Sequence, residues 1–133
     1  MEKLVVNYKG GLSFCAKVRG HEIISDLPAE KQGTDKGPTP PELFISSLGT
    51  CIGVYAALFA QRHQISLEGM QVEMEWERAE EPARISRIRA KITIPQGFPE
   101  KYREALKKSA EACLVHNTLC QCPIIELSLA DQA

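Results

Sequence analysis

Between Leu43 and Gln61 the chain runs for nineteen residues without a charge, and any fold it adopts has to hide that segment. Its length would suffice to cross a bilayer. Ser46, Ser47, Gly49, Thr50 and Gly53 interrupt its apolar character, however, and amphipathic sequence flanks it on both sides. It is therefore expected to be a helix buried inside a soluble protein, not a membrane span. The start of this helix is well marked. Thr39 can cap it, Pro40 suits the first helical position, and Glu42 completes a capping box. The spacing predicts a helix to about His63. Phe44, Leu48, Cys51, Tyr55 and Leu58 fall on one stripe, while Ser46, Gly49 or Thr50, Gly53, Ala57 and Ala60 make a second stripe of small side chains. Large residues on one side and small ones on the other imply a central helix with another backbone lying close to its small face.

The flanks read as strands and a second helix. Leu4–Tyr8 and Leu12–Val18 are joined by Lys9-Gly10-Gly11, and His21–Ser25 follows an Arg19-Gly20 turn, since glycine tolerates the positive φ of tight turns. Asp26–Pro40 is rich in Pro, Gly, Asp and Lys and reads as a loop. Beyond the helix, Met70–Glu77 and Arg87–Ile94 alternate apolar and charged residues, the first with an acidic outer face and the second with a basic one. Opposite charges across strands favour pairing them as a hairpin. Pro99 opens a second helix on which Tyr102, Leu106, Ser109, Cys113 and His116 share a face, and Ile124–Leu129 reads as a closing strand. The order of elements is that of an α+β fold, expected as a single domain over residues 1–133.

Sixteen basic residues stand against seventeen acidic ones, so neither nucleic acid nor an anionic membrane is indicated as a partner. Five cysteines accompany an N-terminus without a basic and apolar leader pattern. Reduced thiols in the cytoplasm are the expectation, with no disulfide scaffold. There is no phosphate loop, no G-x-S-x-G elbow and no H-E-x-x-H.

The remaining chemistry lies in the thiols. Cys51 sits some twelve residues into its helix, beyond the reach of the helix dipole, so reactivity there requires a neighbouring cation or hydrogen-bond donor. A cysteine on an apolar face is also an ordinary small core residue. Cys113 presents the same alternatives at the C-terminal end of the second helix, the unfavourable end for an anion. Cys113, His116, Cys120 and Cys122 are types that bind zinc, yet C-x-x-H-x-x-x-C-x-C fits no recognised ligand spacing, and no metal or cofactor is expected. Cys120 and Cys122 read as residues leading into the last strand, and Cys15 as a strand residue.

Gly37-Pro38-Thr39-Pro40-Pro41-Glu42-Leu43-Phe44, followed by Leu48-Gly49-Thr50-Cys51, resembles the helix signature of the OsmC/Ohr family (osmotically inducible protein C and organic hydroperoxide resistance proteins). Ala112-Cys113-Leu114-Val115-His116-Asn117-Thr118-Leu119 is similar to that family's second cysteine motif, usually cysteine-proline-valine. The order of elements agrees over nearly the whole chain.

The resemblance implies an intertwined homodimer and a thiol-dependent peroxidase acting on organic hydroperoxides in oxidative stress. Cys51 would become a sulfenic acid, Cys113 would resolve it to a disulfide, and a dithiol would reduce that disulfide. Three departures mark the chain as closer to the OsmC-like branch. Pro41 stands where the hydroperoxide-resistance branch has its catalytic glutamate, with Glu42 offset by one residue, about 100° around the helix. Lys9 stands in the hairpin that carries the catalytic arginine of that branch, and Arg19, one turn later, is the basic residue expected to act with Glu42, since lysine lacks the bidentate fork. Leu114 replaces the proline. The alternative implied by these departures is a non-enzymatic dimer that binds a small apolar ligand in its interface cleft. His116 is either a further partner for a thiolate or a capping or surface histidine.

Overall fold

The computed structural model describes residues Met1 to Ala133, and the chain forms two compact units that divide after Ser47. In the first unit, β1 (Val5–Tyr8), β2 (Phe14–Val18) and β3 (His21–Ser25) make an antiparallel meander in that order. The β2–β3 connection has only Arg19 and Gly20, with φ of 49° and 80°, and Val18 pairs with His21 across it. Positive φ at both central positions is the mark of a type I′ turn, whose twist matches that of the strands it joins.

The expected loop contains one short 3₁₀ turn, Ala29–Lys31, and is organised around Asp26. Although only 1% exposed, Asp26 has every need met. Its carboxylate accepts hydrogen bonds from the Thr34 hydroxyl at 2.7 Å and from the N–H groups of Leu27 and Lys36 at 2.7 and 3.2 Å. The Thr34 hydroxyl foremost, joined by the backbone donors, holds this carboxyl below the usual aspartate value despite its desolvation. A depressed folded value means that the stabilisation is present above the unfolded pKa of about 3.9 and is lost as pH falls through the folded value. Asp26→Asn is accordingly expected to lower the melting midpoint by about 4–8 °C at pH 7, with the difference shrinking as pH approaches 2. Thermal melts of both proteins across that range check this, and a pH-independent difference would contradict it.

The helix α1 (Pro40–Arg62) begins in the first unit and runs on into the second. Its predicted capping box is present: the Thr39 N–H donates to Glu42 Oε1 at 2.8 Å, and the Glu42 N–H donates to Thr39 Oγ1 at 3.3 Å. The second unit adds a hairpin of β4 (Gln71–Glu80) and β5 (Ala83–Thr93), then α2 (Arg103–Glu111) and α3 (Leu114–Cys120). Glu73 faces Lys91, Glu75 faces Arg89 and Glu77 faces Arg87, the pairing that the charge pattern predicts. These contacts are solvated. Arg87 and Glu77 approach only to 3.9 Å with both side chains mostly exposed, and such pairs contribute about 0–1 kcal/mol.

Both strands are longer than their alternation indicates. The ladder shifts between Glu77 and Arg78, leaving Ser86 without a partner in the register. A bulge of this kind reverses the side-chain parity, so Ile85 and Ile88, three apart, are both half-buried. A period-2 search stops at that point.

Two apolar clusters hold the second unit together. Leu48, Ile52, Ala110 and Cys113 form one, with Val72, Met74, Ile88 and Ile92 from the hairpin packed against it. Ala56, Phe59 and Leu106 form the other, where Phe59 meets Tyr102 edge-on at 5.9 Å. Burying a phenylalanine this way contributes about 1.5–3 kcal/mol.

The buried face of α1 is thus Leu48, Ile52, Ala56 and Phe59, one residue round from the expected stripe, while Phe44 and Leu58 are exposed. In a helix whose charges are confined to its two ends, two adjacent stripes satisfy the same spacing, and only packing chooses between them. Within the chain, a Cβ on Gly49 would lie 3.1 Å from Met74 Cγ, whereas Gly53 on the same small face has nothing within 4 Å.

Two further expectations fail. The second helix is broken at Cys113. Ile124–Leu129 forms no strand: residues 121–133 carry no regular structure, and Ile124, Ile125, Leu127 and Leu129 are exposed. Alternation makes a segment competent to pair but supplies no edge, and in this unit the sheet consists of β4 and β5 alone.

Candidate active site

Cys51 lies midway along α1, half-buried, on the side of the helix that meets the Leu48–Ile52 cluster. Its partner arrives by a break in the chain. α2 ends at Glu111, where the Ala112 N–H still reaches back to the carbonyls of Lys108 and Ser109. Cys113 then turns to extended backbone, φ −71° and ψ 148°, and α3 starts anew after it. Cys113 caps this helix with its sulfur, which accepts the His116 N–H at 3.2 Å.

The placement reverses the expectation drawn from one continuous helix. Cys113 sits not at a helix C-terminus, hostile to an anion, but at an N-cap, where an N–H points at the sulfur. The sequence signal is faint. In the cysteine-proline-valine motif the proline would occupy the place of Leu114, the first residue of α3, where proline announces a helix start; leucine removes that announcement.

Cys113 is wholly inaccessible to solvent, and Cys51 packs against the apolar cluster to which it belongs. No disulfide joins them. Burial pushes the Cys113 thiol above the ordinary value, the His116 N–H opposes that shift, and the neighbouring Cys51 adds to it. The pair is therefore asymmetric. Cys113 is a buried neutral thiol at neutral pH, whereas Cys51 is the member that solvent and small molecules can reach. Two thiols brought to one apolar cluster can act as nucleophile and resolving thiol.

The other sequence-derived candidates lie in the first unit. Arg19 occupies the β2–β3 turn and is exposed; Lys9 is in the β1–β2 turn; Glu42 is exposed and holds the Thr39 N–H in the capping box. Of the four candidate site residues, the structure brings Cys51 and Cys113 together within the second unit.

Beside the pair, but lined by neither cysteine, is an apolar pocket of about 350 Å³. Leu48, Ile52 and Ala110 separate it from Cys113, while Lys107, His116 and Cys120 bring polar atoms to it. Sequence reasoning passed over Cys120 as a lead-in to a strand; it is the last residue of α3. Cys15 is a buried strand residue, as expected. No three His, Cys, Asp or Glu side chains gather as a metal ion would require.

A family model of OsmC-like protein matches residues 33–128. A comparison with curated proteins gives no match. Among solved structures, the chain is similar to a Psychrobacter arcticus protein described with osmotic stress induction and a detoxification response, at 28% identity and a TM-score of 0.81, covering 89% of this chain and 88% of that one. It is similar also to an OsmC-like protein from Mycoplasma pneumoniae, at 20% identity and a TM-score of 0.76 over 90% and 87% of the two chains. An organic hydroperoxide resistance protein from Legionella pneumophila shares the fold at 19% identity, with a TM-score of 0.59 over 90% of each chain. α1 is long and apolar enough to cross a bilayer, and in this fold its Leu48, Ile52, Ala56 and Phe59 supply part of a protein core.

Proposed function

Because the chain belongs to the OsmC-like family and packs Cys51 against the apolar cluster that holds Cys113, we propose that it is a thiol-dependent peroxidase for organic hydroperoxides. The placement of Cys51 against the cluster that holds Cys113 carries this reading. The Cys51 thiolate attacks the outer peroxide oxygen, the O–O bond breaks, and the alkoxide leaves and takes a proton to become the alcohol. Cys51 is then a sulfenic acid. The sulfur of Cys113 attacks the sulfur of Cys51, water departs, and a disulfide remains for an external dithiol to reduce. Tyr55 beside the pair, with the exposed Val54 and Leu58 on the same helix, offers apolar surface for an alkyl chain.

The same exposed residues suit a homodimer, built from one OsmC-like domain per chain and working in the cytoplasm. Cys113→Ser is expected to halt the reaction at its midpoint. After one equivalent of cumene hydroperoxide, a dimedone adduct should form on Cys51 in the variant, whereas wild type gives a Cys51–Cys113 disulfide with little adduct. Peptide mapping by mass spectrometry reads both species, and absence of adduct in the variant would sink the proposal.

Arg19 and Glu42 are assigned to activation: guanidinium can hold a carboxylate and a thiolate or peroxide oxygen together. Arg19→Met should then slow alkylation of Cys51 at pH 7 at least about tenfold, the equivalent of one pKa unit, and Lys9→Met should do much less. Equal alkylation rates would make Arg19 a turn residue only.

One observation favours a second reading. The first unit has an apolar pocket of about 440 Å³ lined by Val6, Leu12, Phe14, Ile23, Leu27 and Leu43 among others, which suits a non-enzymatic dimer binding a small apolar ligand. That reading requires no sulfenic acid at Cys51, so the trapping experiment separates the two.

A further inference from the structure

We propose that Tyr55 is the proton donor of the oxygen-transfer step, its hydroxyl delivering the proton that the departing alkoxide takes when Cys51 is oxidised. The inference rests on the peroxidase reading above, which leaves the source of that proton open.

The need is chemical. When the Cys51 thiolate takes the outer peroxide oxygen, the electron pair of the O–O bond moves to the inner oxygen. An alkoxide is a poor leaving group unless it is protonated as it goes, and a side chain placed to supply that proton contributes about 10²–10⁴-fold in rate. The surroundings of Cys51 offer few donors. The side chains of the cluster on which it packs, and of the residues that flank that cluster, are hydrocarbon or sulfur with one exception: Tyr55 carries a hydroxyl. Cys113 is shut off from solvent, and burial strengthens the hold of its thiol on its proton. Arg19, assigned to activation, supplies charge but does not release a proton.

Position favours Tyr55. It stands one turn after Cys51 on α1, and residues four apart on a helix share a face with their Cβ atoms about 5–6 Å apart. Helical side chains lean towards the N-terminus, which carries a ring at Tyr55 back over the turn that holds Cys51. Both residues are half-buried against the same cluster. The Tyr55 hydroxyl makes no hydrogen bond within the chain, and no buried side-chain oxygen lacks a partner, so this hydroxyl lies open to solvent. It is free to turn its proton towards a peroxide at Cys51 and to recover one from water. The neighbouring hydroxyls on the helix are less suited. Ser47, a turn earlier, donates to the Phe44 carbonyl at 2.6 Å, and Thr50 projects about 100° round the helix from Cys51.

A phenol suits the step, because it keeps its proton at neutral pH yet releases it far more readily than an alcohol does. The Cys51 sulfur bonds to the outer oxygen, which keeps its hydrogen. The O–O bond breaks, and the inner oxygen takes the Tyr55 proton and departs as the alcohol. Cys51 is left as the sulfenic acid, and the Tyr55 phenolate regains a proton from solvent. Sulfur is oxidised by two electrons, the peroxide is reduced by two, and Tyr55 ends unchanged.

The test compares peroxides that differ in leaving group. Reduced wild type and Tyr55→Phe are each mixed with cumene hydroperoxide or with peroxybenzoic acid, acid-quenched at intervals, and oxidised Cys51 is measured by mass spectrometry. The substitution keeps the ring and removes the proton. With cumene hydroperoxide, oxidation of Cys51 should slow about a hundredfold. With peroxybenzoic acid it should slow by less than about threefold, because benzoate leaves without needing a proton. Alkylation of Cys51 by iodoacetamide, from which no oxygen departs, should proceed equally in both proteins. Equal losses with the two peroxides, an unchanged rate with cumene hydroperoxide, or a matching loss of alkylation would each overturn the donor and leave Tyr55 as part of the wall. If cumene hydroperoxide fails to oxidise Cys51 even in wild type, the peroxidase reading falls and the donor falls with it.

Discussion

Cys51→Ser is expected to reduce consumption of a bulky organic hydroperoxide by about a thousandfold or more under excess dithiol, since the serine hydroxyl neither ionises near neutral pH nor forms the sulfenic acid on which every later step depends. The substitution is nearly isosteric in a half-buried position, so the fold should persist. Cys113→Ser should behave differently. It removes the sulfur proposed to resolve the sulfenic acid and the cap acceptor for the His116 N–H, yet leaves the proposed first attack intact, so the first turnover should proceed and later ones slow. Stopped-flow decay of cumene hydroperoxide distinguishes a missing first turnover from a stalled cycle. A Cys51→Ser protein that retained a tenth of wild-type activity would show that another group carries the oxygen-transfer step.

The second large effect is structural. At Gly33 a side chain has no room: an added Cβ would land on the Leu27 carbonyl and within 2.8 Å of Leu27 Cα. This is a question of space, not of a left-handed backbone. Nor is the carbonyl free to yield, because it accepts the Asp35 N–H at 3.0 Å, next to the bonds that tie Asp26 to Thr34 and Lys36. Gly33→Ala must therefore open the loop or distort it, at a cost of roughly 2–4 kcal/mol. The consequence extends to the start of α1. Asp26 N–H and the Ser25 hydroxyl both hold the Pro38 carbonyl, at 3.2 and 2.9 Å, immediately before the Thr39 cap. Urea denaturation of the variant measures the loss, and a change below about 0.5 kcal/mol, the range of ordinary surface substitutions, would mean that the loop relaxes without penalty.

Local chemistry decided a good part of this protein from the sequence alone. The Thr39–Glu42 box, the Arg19-Gly20 turn and the opposed charges of β4 and β5 depend on residues adjacent in sequence or on a period of two, and each is found where that chemistry puts it. Cys51 and Cys113 were legible as a pair only through the two motifs that resemble the OsmC/Ohr family; no spacing between them says that they join one apolar cluster. Tertiary structure decided the rest. Which apolar stripe of α1 is buried depended on packing against Met74 and Ala110, since a helix with charges only at its ends offers several equivalent faces. The break at Cys113, which puts its sulfur under an N–H instead of at a helix C-terminus, follows from no strong local breaker, because Leu114 stands where a proline would have marked the start of α3. Ile124–Leu129 has the alternation of a strand without a strand beside it. Alternation depends on the segment alone, but pairing needs an edge, and an edge is a property of the assembled fold.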